Sequence, residues 1–434
     1  MKFEELREKH KTFNYDSYKY DIKDNTINIT FNYSIEDLDN FVTNWTIPCS
    51  RNVNIEILDK LIFSLGMVEA ISYYKITCSK IVNINTGSLT DKQEKFFKKL
   101  FYKGLGEFMY KNNINVKEDE LFSFNYKKEE SNRLHDENTY NGILLPIGGG
   151  KDSCVSIELL KDKDITIFSI NPNITIKNCI AVSNVNKNIE VKRVYDNKML
   201  DFNSKGYLNG HTPFSAIVAF ASYITALTNG IRYIALSNES SANESTIKDT
   251  FVNHQYSKSI EFENDFIEYT KDLSDADVHY FSFLRPLKEL QIAYLFSKTN
   301  IYNKVFRSCN KGSKEGIWCC NCPKCLFVYI ILSPFIKEDE LINIFSKKVF
   351  DNKELENDFR GLIGYDENKP FECVGTRKEA VSALGEYIKE NSSYLTDKYK
   401  DFIIKNAYDI KPMLKEIEEN NVPEELLDII KKAL

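Results

Sequence analysis

The spacing of hydrophobic and polar residues changes several times along the chain, and each change predicts a different element. Residues 14–48 alternate aromatic or β-branched residues with polar ones, as in TINITFNYSI and FVTNWTIP, which is typical of strands. Residues 54–74 and 90–112 carry apolar residues at helical spacing. The pattern therefore predicts an N-terminal α/β cap domain over 1–130, followed by a polar linker at 131–142.

From residue 143 onward, predicted strands alternate with predicted helices. ILLPI, ITIFSIN, IEVKRVY and YIALSNE read as strands, IAVSNVN as a short helix or turn, and CVSIELLKD as a helix. HTPFSAIVAFASYITALTNG predicts a long apolar helix that ends at a C-cap glycine, Gly230. This alternation predicts a parallel sheet with helices on both faces over 143–335, and ligands of such sheets bind beyond the carboxyl ends of the strands. Residues 336–434 predict a charged, helical C-terminal section.

A glycine-rich turn joins the first of these strands to the first helix. It comprises Gly148, Gly149, Gly150, Lys151, Asp152 and Ser153. The glycines permit a sharp bend and leave no Cβ to block a phosphate, while the helix N-terminus stabilises an anion. The Walker pattern does not fit, because Asp152 follows Lys151 where that pattern needs Ser or Thr. A turn without a ligand stays an alternative, and Asp152 or Ser153 is a candidate N-cap.

Composition narrows the class of protein. The 434 residues are enough for two or three domains, and a hydrophobic content of 42% is ordinary for a folded protein. No apolar run approaches the ~18 residues of a membrane span, and the charged N-terminus lacks the apolar core of a signal peptide, so we expect a cytoplasmic protein without a membrane partner. The net charge of −6 argues weakly against a nucleic-acid partner. The oligomeric state is left open.

Five of the ten cysteines lie within residues 309–325. In a cytoplasmic chain this clustering points to a metal rather than to disulfides. Cys309, Cys319, Cys322 and Cys325 have the spacing of a structural zinc site, although Cys320 can take the place of a neighbour. Two alternatives are free buried thiols and a catalytic thiol.

The glycine turn also resembles a known loop. It matches the Ser-Gly-Gly-x-Asp-Ser loop of the ATP pyrophosphatase superfamily, whose members split ATP into AMP and pyrophosphate, with Gly148 in place of the first serine. Longer blocks resemble the UDP-N-acetylmuramoyl-L-alanyl-L-glutamate epimerase family. These blocks are FSLGMVEAISYYK at 63–75, GGGKDS at 148–153, GHTPFSA at 210–216, SNESSANE at 237–244, VNHQYSKSIEFE at 252–263, WCCNCPKC at 318–325 and KPFECVG at 369–375.

This resemblance implies a fold and a reaction. The fold is a HUP-like ATP pyrophosphatase domain, and the reaction inverts the terminal L-glutamate of a peptidoglycan precursor with ATP and Mg²⁺, releasing AMP and pyrophosphate. The substrate is then a sugar-nucleotide peptide, and no pyridoxal cofactor is expected. Two other functions stay open: another adenylating enzyme, such as a nucleobase or tRNA modifier or an amide-forming ligase, and a nucleotide-binding module without turnover.

Roles for individual residues follow from the loop and the resemblance. The six loop residues hold the pyrophosphate part of ATP, and Asp152 helps to hold Mg²⁺. Asn171, Asn238 and Glu239 end predicted strands at the ligand edge and are candidate nucleotide contacts, with a helix cap as the alternative for the last two. His254 or Lys258 is the candidate base that removes the α-proton. Candidate substrate contacts are His211, Gln255, Tyr256, Arg285 and Arg377. A capping or packing role is equally open for His211.

Overall fold

The computed structural model of the protein describes residues 2–243, 256–370, 372 and 374–434. These residues form two compact units. The first comprises the described residues of Met1–Leu144, Ile189–Ile234 and Tyr256–Tyr280. The second comprises the described residues of Leu145–Asn188, Ala235–Gln255 and Phe281–Leu434. The functional domain boundaries at 130, 142 and 335 stay predictions.

The first unit contains a mixed sheet. Its strands are β1 (Thr12–Lys23), β2 (Thr26–Ile35), β3 (Asp39–Pro48), β4 (Ile81–Ile84), β5 (Ser123–Asn125) and nearly all of β8 (Asn188–Val194). Their order is β8-β3-β2-β1-β4-β5. The pairs β1–β2, β2–β3 and β3–β8 are antiparallel, whereas β1–β4 and β4–β5 are parallel. The strands predicted within 14–48 are confirmed. The strand predicted from IEVKRVY is present as β8, but its pairing with β3 is antiparallel.

The helices of the first unit largely follow the predicted periodicity. They are α1 (Phe3–Lys9), α2 (Ile55–Tyr74), α3 (Asp91–Gly104), α4 (Gly106–Lys111), α5 (Glu118–Leu121), α8 (Lys198–Ser204), α9 (Phe214–Asn229) and α10 (Ile260–Leu273). The stretch predicted as one helix at 90–112 is divided into α3 and α4 at Leu105. Helix α9 ends at Gly230 with φ +72°, so the predicted C-cap glycine is confirmed.

Helix α2 packs closely against the aromatic face of β1 and β2. A Cβ at Gly66 would lie 2.1 Å from Tyr15 Oη, and Tyr33 donates a hydrogen bond of 2.7 Å to the Gly66 carbonyl. Deeper in the unit, the buried Glu69 carboxylate accepts hydrogen bonds from Trp45 Nε1 and from the Arg193 guanidinium. Glycine on the helix therefore lets the backbone approach the strands, and a paired charge lies in the core.

The remaining strands belong wholly or in part to the second unit. These are β6 (Ile143–Pro146), β7 (Ile165–Ile170), β9 (Tyr233–Leu236) and β10 (His279–Ser282), in the order β10-β9-β6-β7. The chain passes between the two units within β6, β9 and β10. The pair β6–β9 is parallel, as expected from the alternation of strands and helices. Strand β10 was not predicted, because HYFS is too short to show a period.

Helices make up most of the second unit. They are α6 (Lys151–Leu160), α7 (Ile174–Ser183), α11 (Glu289–Ser297), α12 (Pro323–Leu332), α13 (Glu338–Phe345), α14 (Glu356–Ile363), α15 (Arg377–Tyr387), α16 (Tyr394–Lys398), α17 (Lys400–Asn406), α18 (Ile410–Met413) and α19 (Glu424–Ala433). Helix α12 is buried along its length and packs against α11 and α15. The predicted helical section at 336–434 is confirmed. Among the described residues, no helix combines the length and apolarity needed to cross a membrane.

Candidate active site

The glycine turn lies between the end of β6 and the start of α6. Gly149 has φ +78°, and a Cβ there would lie 2.8 Å from Thr175 Cγ2, so this position requires glycine. A Cβ at Gly148 would meet nothing within 4 Å. Gly150 is the N-cap and has no side chain that could cap the helix, while Ser153 Oγ donates to the Gly150 carbonyl. The candidate N-cap roles of Asp152 and Ser153 are therefore wrong, because both residues lie inside the first helical turn.

Three carboxylates converge beside this turn. Oxygens of Asp152, Glu239 and Glu289 lie within 4.8 Å of one another. The Lys151 ammonium bonds both Asp152 and Glu289. Glu289 and Glu239 are 1% and 6% exposed and the Lys151 side chain is fully buried, but the Asp152 side chain keeps 25% of its surface exposed. Asp152 is therefore the carboxylate of this cluster that solvent reaches most easily.

The charged groups of this cluster shift one another's pKa values. Burial lowers the pKa of Lys151, but the charges of Asp152 and Glu289 outweigh burial, and the pKa of the ammonium lies above its usual range. Burial raises the pKa of Glu289 to about 8. The charge of Lys151 opposes this shift, whereas the charges of Asp152 and Glu239 add to it. Three carboxyl groups this close together favour an added proton or a bound cation, although the charges of Lys151 and Lys324 offset part of their repulsion.

Two of the predicted site residues, Asn238 and Arg285, lie next to Glu239. Asn238 Nδ2 donates to Ser282 Oγ over 3.0 Å. Arg285 is fully buried and donates to the Glu239 carbonyl and to Ser282 Oγ. Asn171 follows β7, is exposed and has φ +46°. Arg285 therefore binds the backbone carbonyl of Glu239, one of the three clustered carboxylate residues. The sequence did not indicate this role.

A segment distant in sequence packs directly on the glycine turn. The Arg307 backbone N–H donates to the Gly149 carbonyl over 2.9 Å, and the Lys151 backbone N–H donates to Ser308 Oγ over 3.3 Å. A Cβ at Gly150 would lie 2.9 Å from Ser308 Oγ. Ser308 therefore places a hydroxyl at the N-terminus of α6. Its only sequence signal is its place immediately before Cys309.

The four predicted metal ligands come together. Sulfur atoms of Cys309, Cys319, Cys322 and Cys325 lie within 4.8 Å of one another, and those of Cys319 and Cys325 are 3.7 Å apart. Sulfurs bound tetrahedrally to Zn²⁺ at ~2.3 Å are separated by about 3.8 Å. Backbone N–H groups of Gly312 and Cys325 donate to Cys309 Sγ and Cys322 Sγ respectively. The arrangement therefore fits a structural zinc site.

Cys320 lies outside this cluster. Its thiol donates to the Phe345 carbonyl over 3.1 Å, and its backbone has φ +50°. Burial raises the pKa of this thiol to about 11, reinforced by the neighbouring Cys319. Cys320 is therefore not one of the four cysteines whose sulfur atoms lie together.

Three other candidate residues lie in the first unit. His211 Nδ1 is 3.7 Å from the buried carboxylate of Glu107. Tyr256 is 5% exposed, and burial raises its pKa well above the usual range. Tyr256 begins a 3₁₀ turn (Tyr256–Lys258), and Lys258, which ends it, is half-buried. These three residues therefore belong to a different unit from the residues of the carboxylate cluster.

The last candidates are Arg377 and the two residues that precede Tyr256. Arg377 is the first residue of α15 and donates to the Glu367 carbonyl over 2.5 Å. His254 and Gln255 lie outside the described residues. The roles of all these residues stay predictions.

Convergent titratable side chains at a strand edge are typical of an enzyme site. The MurL N-terminal domain matches residues 4–283 and the MurL C-terminal domain matches residues 303–412. The chain therefore belongs to the MurL family of epimerases, as the resemblance of its sequence blocks indicated.

Curated relatives give the family its reaction. A UDP-N-acetyl-alpha-D-muramoyl-L-alanyl-L-glutamate epimerase of Xanthomonas oryzae pv. oryzae is 33% identical over 74% of this chain and 72% of its own. A protein of the same name from Micromonospora sp. is 30% identical over 88% of each chain. Another, from Salinispora tropica, is 30% identical over 88% of this chain and 86% of its own. No solved structure matches the chain.

Proposed function

We propose that the protein is an ATP-dependent epimerase that converts the terminal L-glutamate of UDP-MurNAc-L-Ala-L-Glu into D-glutamate during synthesis of peptidoglycan precursors. The curated relatives bear the name of this epimerase activity. The observation that carries ATP dependence is the carboxylate cluster beside a glycine-lined helix N-terminus. Because the reaction consumes ATP and acts on a sugar nucleotide, we place it in the cytoplasm.

In this proposal the glycine turn is a pyrophosphatase loop, and the second unit belongs to the HUP-like ATP pyrophosphatase superfamily. Gly148 leaves open space for the phosphates, and the positive end of α6 attracts their charge. Ser153 lies in the first turn of this helix, and its hydroxyl is engaged by the Gly150 carbonyl. Asn171, Asn238 and Glu239 contribute to the same edge.

Asp152, Glu239 and Glu289 would hold Mg²⁺, which prefers oxygen ligands. A bound Mg²⁺ screens the phosphate charges during attack on the α-phosphorus. Three carboxyl groups whose oxygens lie within 4.8 Å of one another fit a cation here. The sequence missed Glu289, since it begins a helix more than a hundred residues after the loop. The cysteine cluster would hold a structural Zn²⁺.

The chemistry explains why ATP is needed. The α-proton of glutamate is barely acidic while the α-carboxylate is ionised. Joining that carboxylate to AMP removes the negative charge and makes the carbonyl electron-withdrawing, so a base of ordinary strength can remove the α-proton. Reprotonation from the other face and hydrolysis of the acyl-adenylate give the D-form. His254 and Lys258 stay the candidate bases.

One test separates this proposal from the alternatives. The protein is incubated with ATP, Mg²⁺ and UDP-MurNAc-L-Ala-L-Glu, and the glutamate is released and resolved by chiral chromatography. An epimerase yields D-glutamate together with AMP. An adenylating enzyme of another kind forms AMP only with a nucleobase or amine acceptor, and a binding module forms none. Absence of D-glutamate in the complete reaction would refute the proposal.

Ser308 offers a more local prediction. With alanine at 308, the Lys151 N–H loses its partner and the phosphates lose a nearby hydroxyl, so we expect the KM for ATP to rise about tenfold with a smaller change in kcat. Steady-state kinetics of AMP release give both constants. Ser297→Ala is the matched control, because the Ser297 hydroxyl donates to the Tyr294 carbonyl within α11. An unchanged KM would remove Ser308 from the site.

A further inference from the structure

Lys75 is a buried lysine that has no carboxylate partner among the residues that the structure describes. It follows α2, is 5% exposed, and donates to the Gly210 carbonyl over 2.5 Å and to Thr212 Oγ1 over 2.8 Å. Among the described residues, no carboxylate oxygen lies within 4.0 Å of its ammonium. Lys60, on the same helix, is paired with Glu129 over 2.7 Å. Since burying an uncompensated charge is costly, Lys75 needs an explanation.

A second cation lies near Lys75. Burial, reinforced by the charge of Arg193, lowers the pKa of Lys75 to about 8. The Arg193 guanidinium is held by Glu69 through bonds of 2.6 and 2.8 Å. It also lies 5.5 Å from the ring of Tyr195 and 5.9 Å from the ring of Phe214. Tyr195 and Phe214 are 37% and 46% exposed, so two aromatic side chains flank this cation at the surface.

The segment bonded by Lys75 leads into a helix N-terminus. Residues 210–212 are half-buried, and α9 begins two residues after Thr212. Pro213 is the N-cap, and no side chain caps the helix. The positive end of this 16-residue helix therefore adds to the charge of Lys75 beneath the same segment. Positive potential and exposed aromatic surface thus coincide in the first unit.

We propose that this surface, the Lys75 site (Lys75, Arg193, Tyr195, Thr212 and Phe214), binds the uridine diphosphate end of the sugar-nucleotide substrate. The diphosphate lies over residues 210–214, where its charge balances Lys75 and the helix N-terminus. The base packs against Tyr195 and Phe214, as nucleobases do on aromatic side chains. The identity of the nucleotide rests on the proposed function, whereas the site itself rests on the first unit alone.

Calorimetry with UDP tests the site on the full chain in the absence of ATP. We expect Lys75→Met to weaken UDP binding at least tenfold, and Lys60→Met, the paired lysine of the same helix, to leave it unchanged. Phe214→Ala should also weaken UDP binding about tenfold. The matched control is Tyr408→Ala, which removes an aromatic side chain that is 58% exposed in the second unit. Lys75→Arg, which keeps the charge, should retain most of the binding and guards against a folding defect in Lys75→Met.

Several results would overturn the Lys75 site: no heat of UDP binding, an equal loss in the controls, or binding of L-alanyl-L-glutamate rather than UDP that depends on Lys75. The assay for D-glutamate is independent of this titration. UDP binding without epimerisation would refute the proposed function and leave the site standing. Epimerisation without Lys75-dependent UDP binding would refute the Lys75 site and leave the proposed function standing.

Discussion

Replacing Asp152 by asparagine should lower the rate of AMP release by about a thousandfold and leave the fold intact. Asp152 is the most exposed carboxylate of the cluster, with 25% of its side chain accessible. It is therefore the member best placed to meet an incoming cation and its phosphates. Electrostatic stabilisation of this kind contributes several kcal/mol, and ~4 kcal/mol corresponds to about three factors of ten in rate.

The fold should survive this change because asparagine keeps the shape of the side chain and removes the repulsion between Asp152 and Glu289. AMP release is measured by chromatography under saturating ATP, and folding by thermal denaturation. Asp162→Asn, in the exposed turn after α6, is the control and should behave as the wild type. Turnover of Asp152→Asn within a few fold of the wild-type rate would exclude the cluster from catalysis.

Replacing Cys325 by serine should remove a bound zinc ion and strongly destabilise the second unit. Cys325 is fully buried at the start of α12, and its sulfur contacts that of Cys319. Structural zinc contributes ~10 kcal/mol or more to folding in small peptides, so we expect the free energy of unfolding to fall by at least ~5 kcal/mol. Cys309 adjoins Ser308, so the affinity for ATP should fall with the metal.

Elemental analysis and thermal melting test this prediction together. The wild-type protein should carry about one zinc per chain, and Cys325→Ser far less. Cys320→Ser is the control, because Cys320 is buried in the same segment but bonds Phe345 instead of the cluster. Carefully purified wild-type protein with less than about half an equivalent of zinc would argue that the four thiols are metal-free.

Features set by neighbouring residues could be predicted from the sequence. Periodicity located β2 and β3, where burial alternates along each strand, and the first half of β1. The spacing of apolar residues also located α2, although α2 is buried on nearly all sides from Leu61 to Tyr74. The spacing of the cysteines identified a set of four that the fold brings together. The glycine turn was located by its composition between an apolar strand and a helix.

Features that depend on distant contacts could not be predicted. Glu289 and Ser308 reach the glycine turn from segments more than a hundred residues away, and no local pattern marks them. The predicted N-cap of α6 was wrong, because the residue that precedes the helix is Gly150, which has no polar side chain. The antiparallel pairing of β8 with β3 joins segments that are about 150 residues apart, beyond the reach of strand periodicity.

The most direct test of the account is phosphorus and proton NMR of one reaction in deuterated water, containing the protein, ATP, Mg²⁺ and UDP-MurNAc-L-Ala-L-Glu. Epimerisation through an acyl-adenylate predicts AMP and pyrophosphate signals that grow only when the peptide is present. It also predicts loss of the proton signal at the glutamate α-carbon. ADP and phosphate instead of AMP and pyrophosphate, or an α-proton that persists while AMP accumulates, would contradict it.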